Sequence, residues 1–269
     1  MQWKENWRRR GEVLMAVILV AGSASELRAK NLCRKPDYIR AMKEQAVVYY
    51  RNGNYVEALK SAKNAEVCHP KDAELYYWLG LIYYQKGKSY EAIDYLKQAL
   101  KIDKNFYEAN MALGVIYLGL ERWDEAIAEF KSAADNDYFP RPHEAFSNMG
   151  WAYFKKGDLA LAEVNLKQAI KLNDKYCPAY TNLGELYSKQ GQRRQAIGQY
   201  QQAIALCPRD YARPHYLMAI DYGYLGLYDQ ACSELVIAIL VPNAPEAEPA
   251  KEKLRLYNCP GVLTMPPGP

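Results

Sequence analysis

The sequence lacks the short motifs that mark most enzymes. Its 269 residues contain no Gly-x-Ser-x-Gly nucleophile elbow, no phosphate-binding loop and no dinucleotide fingerprint. Acidic pairs such as Asp135 and Asp137 fall in a predicted turn, where carboxylates are normally solvated. We therefore expect a non-catalytic chain that needs no cofactor.

Histidine is scarce, and charge of either sign is nearly balanced. The three histidines, His69, His143 and His215, are far apart in sequence, and no Cys-x-x-Cys pair occurs, so no metal site is expected. The formal net charge is only +4, and residues 1–29 contribute +2 of it. This balance gives no indication of nucleic acid or of an anionic surface as a partner.

Long hydrophobic runs are absent except near the start of the chain. The run from Val13 to Ala24 follows Arg8-Arg9-Arg10 and is shorter than the roughly 20 residues that span a bilayer. Small residues that suit cleavage follow, so residues 1–29 are predicted to be an export signal, with a retained membrane anchor as the alternative. A lipoprotein signal would need a cysteine directly after small residues, but Cys33 follows Lys30-Asn31-Leu32.

What the chain does contain is a repeated pattern of small and large residues at fixed spacing. The step from one set to the next is 34 residues, and once 36. The four clear sets are Leu79-Gly80, Tyr83, Ala92, Leu96 and Ala99; Leu113-Gly114, Tyr117, Ala126, Phe130 and Ala133; Met149-Gly150, Tyr153, Ala162, Leu166 and Ala169; and Leu183-Gly184, Tyr187, Ala196, Tyr200 and Ala203. A period of this size predicts a solenoid of helix-turn-helix units.

The pattern resembles the tetratricopeptide repeat, which has Leu-Gly early in helix A and small residues in helix B. The glycine is expected where helix B approaches most closely, and the larger residues are expected to fill the space between one helix pair and the next. Two less regular units flank the clear ones, as expected at the ends of a solenoid. The predicted repeats are residues 39–72, 73–106, 107–140, 143–176, 177–210 and 212–245.

The segments outside the repeats complete the predicted organisation. Residues 30–38 form an N-terminal segment, and Arg141-Pro142 and Tyr211 are small insertions. Residues 246–258 are predicted to be a capping helix, and residues 259–269 a flexible tail rich in proline and glycine. The predicted fold is an all-α, right-handed α-solenoid of about six repeats with a C-terminal capping helix.

The resemblance also implies a binding groove. In tetratricopeptide folds the second, fifth, ninth and twelfth positions of each repeat line the concave side of helix A. The partner-binding residues chosen at these positions are Tyr50, Tyr77, Leu81, Tyr84, Met111, Val115, Leu118, Trp151, Phe154 and Tyr216. Such an apolar strip is typical of a surface that binds a helix or extended segment of another protein. The alternative is that some of these side chains are buried between helices or under the N-terminal segment.

Six cysteines in an exported chain suggest disulfides, although the sequence alone allows 15 connectivities. In a repeat of this kind, helix A begins beside the place where helix B ends. We therefore expect the pairs Cys33–Cys68, Cys177–Cys207 and Cys232–Cys259. The alternative is six buried thiols that pack as small apolar residues.

One junction resembles a narrower group of proteins. The junction from Asp135 to Pro142 is longer than the other junctions. The segment from Ala145 to Tyr153 follows it. Together they are similar to the third-to-fourth repeat junction of the PilF, PilW and Tgl type of type IV pilus assembly protein. Those six-repeat envelope proteins act as pilotins that help the outer-membrane secretin to localise or assemble. They are lipidated, and no lipobox is visible in this sequence.

The resemblance implies a scaffold at the periplasm or at the periplasmic face of the outer membrane. Its expected partner is a protein segment, with secretin subunits as the specific candidate, no nucleic acid and only indirect contact with the membrane. Two alternatives remain open: a general periplasmic adaptor for other envelope complexes, and a structural solenoid that self-associates.

Overall fold

The computed structural model describes residue 33 and residues 36–207 and 211–259, and the whole of this described part is helix, turn and loop. The predicted export signal and all but the first residue of the predicted tail lie outside it. The thirteen helices of the described part are α1 (Pro36–Arg51), α2 (Tyr55–Cys68), α3 (Ala73–Gln85), α4 (Ser89–Ile102), α5 (Tyr107–Gly119), α6 (Trp123–Ala134), α7 (Pro142–Lys156), α8 (Leu159–Leu172), α9 (Cys177–Lys189), α10 (Arg193–Leu206), α11 (Arg213–Tyr224), α12 (Tyr228–Leu240) and α13 (Ala247–Leu256).

The first twelve helices form six consecutive pairs, each joined by a short turn, and α13 follows the last pair. The fold is an all-α repeat solenoid, as the sequence predicts. None of the thirteen helices is both long enough and apolar enough to cross a membrane.

Small residues let the two helices of each pair approach closely. The alanines at the first recurring helix B position, from Ala58 to Ala231, are fully buried, and so are those seven residues later. A Cβ added at Gly80 would lie 2.6 Å from Cγ of Leu96 and 3.2 Å from the carbonyl oxygen of Ala92. The glycine is therefore a requirement of packing, not only of backbone freedom.

The large residue on helix B packs both within its own pair and against the next pair. Leu96 packs directly onto Gly80 of its own helix pair, and Leu166 does the same at Gly150, where an added Cβ would lie 2.7 Å from its Cγ. Leu166 also lies in one buried cluster with Leu183 and Leu186 of the next pair, as the sequence predicted. The leucine therefore closes the gap that the glycine leaves and also joins two pairs.

Prolines begin two helices at positions that the repeat register placed outside them. Pro142 is the first residue of α7, although it was predicted to be part of an insertion, and α1 begins at Pro36 instead of Ile39. The first helical position tolerates proline because its N–H has no partner within the helix.

The chain divides into two compact units, with the boundary between Ile116 and Tyr117 inside α5. In the second unit α13 covers the last helix pair. Ala250 and Leu254 of α13 are fully buried in one cluster with Ala231 and Leu235 of α12. This burial removes the apolar side of α12 from water, which is the role expected of a capping helix.

Candidate functional site

In the first unit, aromatic side chains form a continuous row along the first helices of the pairs. Tyr50 contacts Trp78 edge-on at 5.5 Å between ring centroids, Tyr77 contacts Trp78 at 5.4 Å, and Tyr77 contacts Phe106 at 5.1 Å. Tilted and edge-to-face geometries of this kind are favourable for aromatic pairs. We call the half-buried or exposed residues Tyr50, Tyr77, Leu81, Tyr84, Met111 and Val115 the unit 1 face.

A cavity of about 850 Å³ opens beside this row. Its apolar lining comes from Ile39, Val47, Val48 and Trp78, which are half-buried or exposed. Its size lies within the range of pockets that hold drug-sized ligands or a few side chains of a peptide.

One rim of this cavity carries a lysine held between two carboxylates. Lys43 Nζ lies 2.8 Å from Asp72 and 2.6 Å from Glu74. Burial lowers the pKa of Lys43, but hydrogen bonds and attraction from the two carboxylates outweigh it and hold the pKa above its usual range. Burial likewise raises the pKa of Asp72, and its bonds to Lys43 and to the backbone N–H of Leu75 reverse the effect, so its pKa is lowered. The whole cavity lining is nearly neutral, because its three positive side chains, Arg40, Lys43 and Arg51, equal in number the three negative ones, Glu44, Asp72 and Glu74.

In the second unit, the corresponding positions combine aromatic rings with cations. Trp151 stacks on Phe154 at 5.0 Å, and the ammonium of Lys155 lies 4.7 Å from the Trp151 ring centroid. The guanidinium of Arg213, from the start of α11, lies 5.0 Å from the same centroid. Both distances suit cation–π attraction. We call Leu118, Trp151, Phe154 and Tyr216, all half-buried, the unit 2 face.

An acidic residue lies among these groups. Glu185 accepts a hydrogen bond from Arg213 and shares a cavity of about 340 Å³ with Phe154. Burial raises the pKa of the Glu185 carboxyl, and attraction to Arg213 offsets this only in part. Unlike Asp72 in the first unit, Glu185 is therefore a carboxylate whose charge costs free energy where it lies.

A second ion pair lies deeper at the same cavity. Arg193 pairs with Asp221, whose side chain is almost wholly buried, and Ser188 donates a hydrogen bond of 2.8 Å to the same carboxylate oxygen. The Arg193 guanidinium also lies 3.8 Å from the Tyr224 ring centroid. The other oxygen of Asp221 is buried without a hydrogen-bond partner in the described residues. These contacts fix one edge of the unit 2 cavity.

Nine of the ten residues predicted to bind a partner are half-buried and one is exposed, and Phe154 and Tyr216 also pack against core clusters of the second unit. None is buried in the core, and Val115 is the most exposed of them, at 41%. Neighbouring rings within each unit contact one another, as the Tyr50, Tyr77 and Trp151 contacts show. Their use in binding stays a prediction.

The sequence analysis missed four residues that shape these surfaces. Trp78 joins Tyr50 to Tyr77, although it occupies the sixth position of its repeat. Lys155, Glu185 and Arg213 surround the unit 2 aromatics. Two of them could have been predicted, because Glu185 and Arg213 occupy the ninth and second positions of their repeats. The predicted set contains only apolar and aromatic side chains at those positions.

The six cysteines lie in three pairs. Cys33 faces Cys68, Cys177 faces Cys207 and Cys232 faces Cys259, with Cα atoms 4.8, 5.5 and 5.7 Å apart. These separations suit disulfides, and the connectivity is the one expected from the order of helices. Among the residues that the structure describes, no group of three or more metal-ligating side chains is present.

Family models of repeat proteins match most of the helical region. Models described as tetratricopeptide repeat match residues 43–105, 86–145 and 177–210, and one described as TPR repeat matches residues 150–191. Together they match more than half of the chain. No curated protein sequence is similar enough to count as a match.

Solved structures with the same fold include two pilus proteins. The chain is similar to PilW, a widely conserved type IV pilus biogenesis factor, with 23% identity and a TM-score of 0.69 over 80% of this chain and 99% of that one. It is similar to PilF of Pseudomonas aeruginosa with 18% identity and a TM-score of 0.67 over 81% and 98% of the two chains. It is also similar to YrrB, described as a TPR protein with an unusual peptide-binding site, with 21% identity and a TM-score of 0.50 over 73% and 100%. At these identities the likeness establishes the fold.

Proposed function

Because this chain belongs to the tetratricopeptide repeat family, whose members are typically non-catalytic scaffolds that bind peptides or proteins, we propose that it is a scaffold of the cell envelope. It binds a segment of a partner protein on the unit 1 face and the unit 2 face. Its role is in type IV pilus biogenesis, where it assists assembly of the outer-membrane secretin.

The observation that carries this proposal is the aromatic row of the first unit. Trp78 contacts both Tyr50 and Tyr77, all three side chains are half-buried, and Trp78 lines a cavity of about 850 Å³. Aromatic side chains held rigid at a surface lose little conformational entropy when they bind, so they often contribute most of the binding free energy. When no partner protein is bound, the exposed part of these aromatic side chains is in contact with water.

The pilus assignment is supported by two features. PilW and PilF share the fold over nearly their whole length, and the long junction from Asp135 to Pro142 is of their type. In this junction Phe139 is buried while Tyr138 is 84% exposed. The predicted export signal of residues 1–29 fits a location in the periplasm or at the periplasmic face of the outer membrane.

Capture of secretin subunits from envelope extract tests the proposal. The bait variant Tyr77→Ala, Tyr84→Ala and Trp151→Ala should recover at least tenfold less secretin than wild type, since three partly exposed aromatics are lost from the two faces. The matched control is Tyr90→Ala with Val164→Ala, which removes side chains that are 69% and 63% exposed away from the two faces and from that junction. Equal recovery by all three baits would refute binding on these faces.

Deletion of the gene separates the two envelope roles. Loss of secretin multimers and of pili is expected if the protein assists the secretin. Intact pili would instead support a general periplasmic adaptor, and light scattering that shows large assemblies of the purified protein would support self-association.

The disulfides belong to the same proposal, because they form only in an oxidising compartment. A non-reducing peptide map of protein from the envelope should give the linked pairs Cys33–Cys68, Cys177–Cys207 and Cys232–Cys259. Free thiols at these six positions would argue against export.

A further inference from the structure

The turn inside the sixth repeat differs in chemistry from the other five turns. In five of the six turns a glycine with positive φ joins the two helices: Gly53, Gly87, Gly157, Gly191 and Gly226. In the third, Glu121 takes that place with φ 58°. The backbone design is therefore shared, and any difference in the side chains reflects something other than the needs of the turn.

The side chains beside this left-handed residue are polar in four repeats and mixed in the third. Each set consists of the residue two positions before the left-handed residue, the residue one position before it and the residue one position after it. The six sets are Arg51, Asn52 and Asn54; Gln85, Lys86 and Lys88; Gly119, Leu120 and Arg122; Lys155, Lys156 and Asp158; Lys189, Gln190 and Gln192; and Tyr224, Leu225 and Leu227. Only the sixth set is apolar throughout. We call the segment Tyr224–Tyr228 the apolar turn.

The apolar turn is open to water. Tyr224 is 69% exposed, Leu225 38%, Leu227 40% and Tyr228 51%. Exposing four large apolar side chains within five residues costs solvation free energy that the other repeats avoid. The fold does not require the two leucines, since Gln190 and Gln192 occupy the same positions of the fifth repeat, whereas Tyr224 contacts Arg193 and Tyr228 contacts Tyr257.

Basic side chains lie beside the apolar turn. Arg193 and Arg194 border a surface depression of about 680 Å³ together with Tyr224 and Leu225. Lys189 lines a second cavity with Tyr224. Arg193 is held by Asp221, but Lys189 and Arg194 have no ion pair within the described part of the chain.

The acidic groups at this end do not cancel that charge. Asp221 is buried and Glu185 pairs with Arg213, so neither is available to neutralise the two basic side chains. The exposed carboxylate next to the turn is Asp229, directly after Tyr228. Two unpaired cations beside one exposed acid leave a local positive surface, which the nearly neutral total charge of +4 did not indicate.

We propose that the apolar turn, with Lys189 and Arg194 beside it, is a contact site for the surface of an anionic phospholipid bilayer. Leu225 and Leu227 enter the acyl boundary. Tyr224 and Tyr228 lie at the level of the headgroups, because a tyrosine has an apolar ring and a polar tip. Arg194 meets lipid phosphates at the depression that the turn borders, and Lys189 meets them at the second cavity beside Tyr224.

The size and shape of the patch favour a bilayer over a protein partner. A stable protein interface takes about 800 Å² from each partner, and four partly exposed side chains at the tip of a turn fall well short of that. A bilayer needs no complementary pocket, and it combines a small apolar insertion with charge attraction. This contact is separate from partner binding on the unit 1 face and the unit 2 face.

Flotation with phospholipid vesicles tests the proposal. The full chain, purified from the envelope of the expressing cells, should bind vesicles of phosphatidylcholine with 30% phosphatidylglycerol, and bind vesicles of phosphatidylcholine alone at least tenfold more weakly. The variant Leu225→Gln with Leu227→Gln copies the fifth turn, so it is expected to fold. It should lose at least tenfold in apparent affinity for the anionic vesicles.

A second variant and a control separate charge from apolar contact. Arg194→Gln should lose about fivefold, since one basic side chain near an anionic bilayer contributes about that factor. Leu161→Gln with Val164→Gln removes two apolar side chains that are 42% and 63% exposed on α8, and its binding should match wild type.

Each result decides the question. Vesicle binding by the Leu225→Gln, Leu227→Gln variant that equals wild type overturns the proposal, as does the absence of binding by wild type. If wild type does not bind vesicles and this variant also loses secretin capture, the apolar turn is a protein interface. If vesicle binding behaves as expected while the aromatic triple variant captures secretin normally, the membrane contact stands and the partner-binding proposal fails.

Discussion

The unit 1 face and the unit 2 face present aromatic side chains in different surroundings. In the first unit, rings contact mainly rings, and the positive and negative side chains that line the neighbouring cavity are equal in number. In the second unit, Trp151 lies beside Lys155 and Arg213. The same repeat pattern therefore supports an apolar surface in one unit and a mixed cationic and aromatic surface in the other.

This difference shows which part of a repeat protein is fixed and which is variable. The small residues that pack helix A on helix B are alike in both units, as Gly80 and Gly150 show. Most residues of the two faces lie outside that packing, although Phe154 and Tyr216 contact the edges of core clusters. We therefore propose that the binding preference of each unit is carried by a few side chains of its face.

The largest expected effect concerns the ion pairs beside the two faces. Arg193→Ala should destabilise the protein by about 3 kcal/mol, because it leaves the buried carboxylate of Asp221 without its charged partner. Lys43→Ala should cost about 1 kcal/mol, since Asp72 keeps its backbone bond to Leu75 and some contact with water. Urea unfolding measures the loss of unfolding free energy in both variants. Equal losses would show that the buried ion pair and the partly exposed one contribute alike to stability.

The next effect concerns the packing that the two units share. Gly80→Ala and Gly150→Ala should each cost about 1–3 kcal/mol, because the new methyl group overlaps Leu96 or Leu166. Gly198→Ala is the control: nothing lies within 4 Å of its added Cβ, and it should stabilise α10 by up to about 1 kcal/mol. Thermal unfolding that gave the same sign for all three variants would contradict the packing role of the repeat glycines.

The smallest effect is a difference in pH dependence. The pKa of Asp72 is lowered in the folded protein, so its stabilising contribution is present above its usual pKa of about 3.9 and is lost as the pH falls through the folded value. The pKa of Glu185 is raised, so its charge is a cost that disappears as the pH falls through the raised value.

Variants separate the two signs. From pH 7 to about pH 4, wild type should gain stability relative to Glu185→Gln. Over a lower range, below the usual pKa of aspartate, it should lose its advantage over Asp72→Asn. Urea unfolding midpoints measured against pH check both trends. If the difference between wild type and Glu185→Gln changed with pH in the same direction as the difference between wild type and Asp72→Asn, the contrast between the two carboxylates would be contradicted.

The fold was predictable because the packing of each pair is local in sequence. Gly80 and Leu96 are sixteen residues apart, so one period of the pattern contains the whole contact. The starts of α1 and α7 were misplaced for a different reason. The repeat register set those boundaries, whereas the helices begin at Pro36 and Pro142, where the missing N–H of proline is tolerated.

The candidate site was predictable only in part. The resemblance gave the groove positions, and the residues predicted at them are half-buried, apart from the exposed Val115. Trp78 was missed because its ring reaches Tyr50 and Tyr77 from a position next to the expected one. Arg213 was missed because only apolar side chains were predicted to bind at the groove positions, and Lys155 because it lies outside those positions.

The central claim is that a partner protein binds on the unit 1 face and the unit 2 face. Photo-crosslinking in living cells tests this claim most directly. A photoreactive amino acid in place of Tyr77 or Trp151 should crosslink to a secretin subunit, while the same group in place of Tyr90, which is 69% exposed, should not. Equal crosslinking of secretin from Tyr90, or none from Tyr77 and Trp151, would contradict the claim.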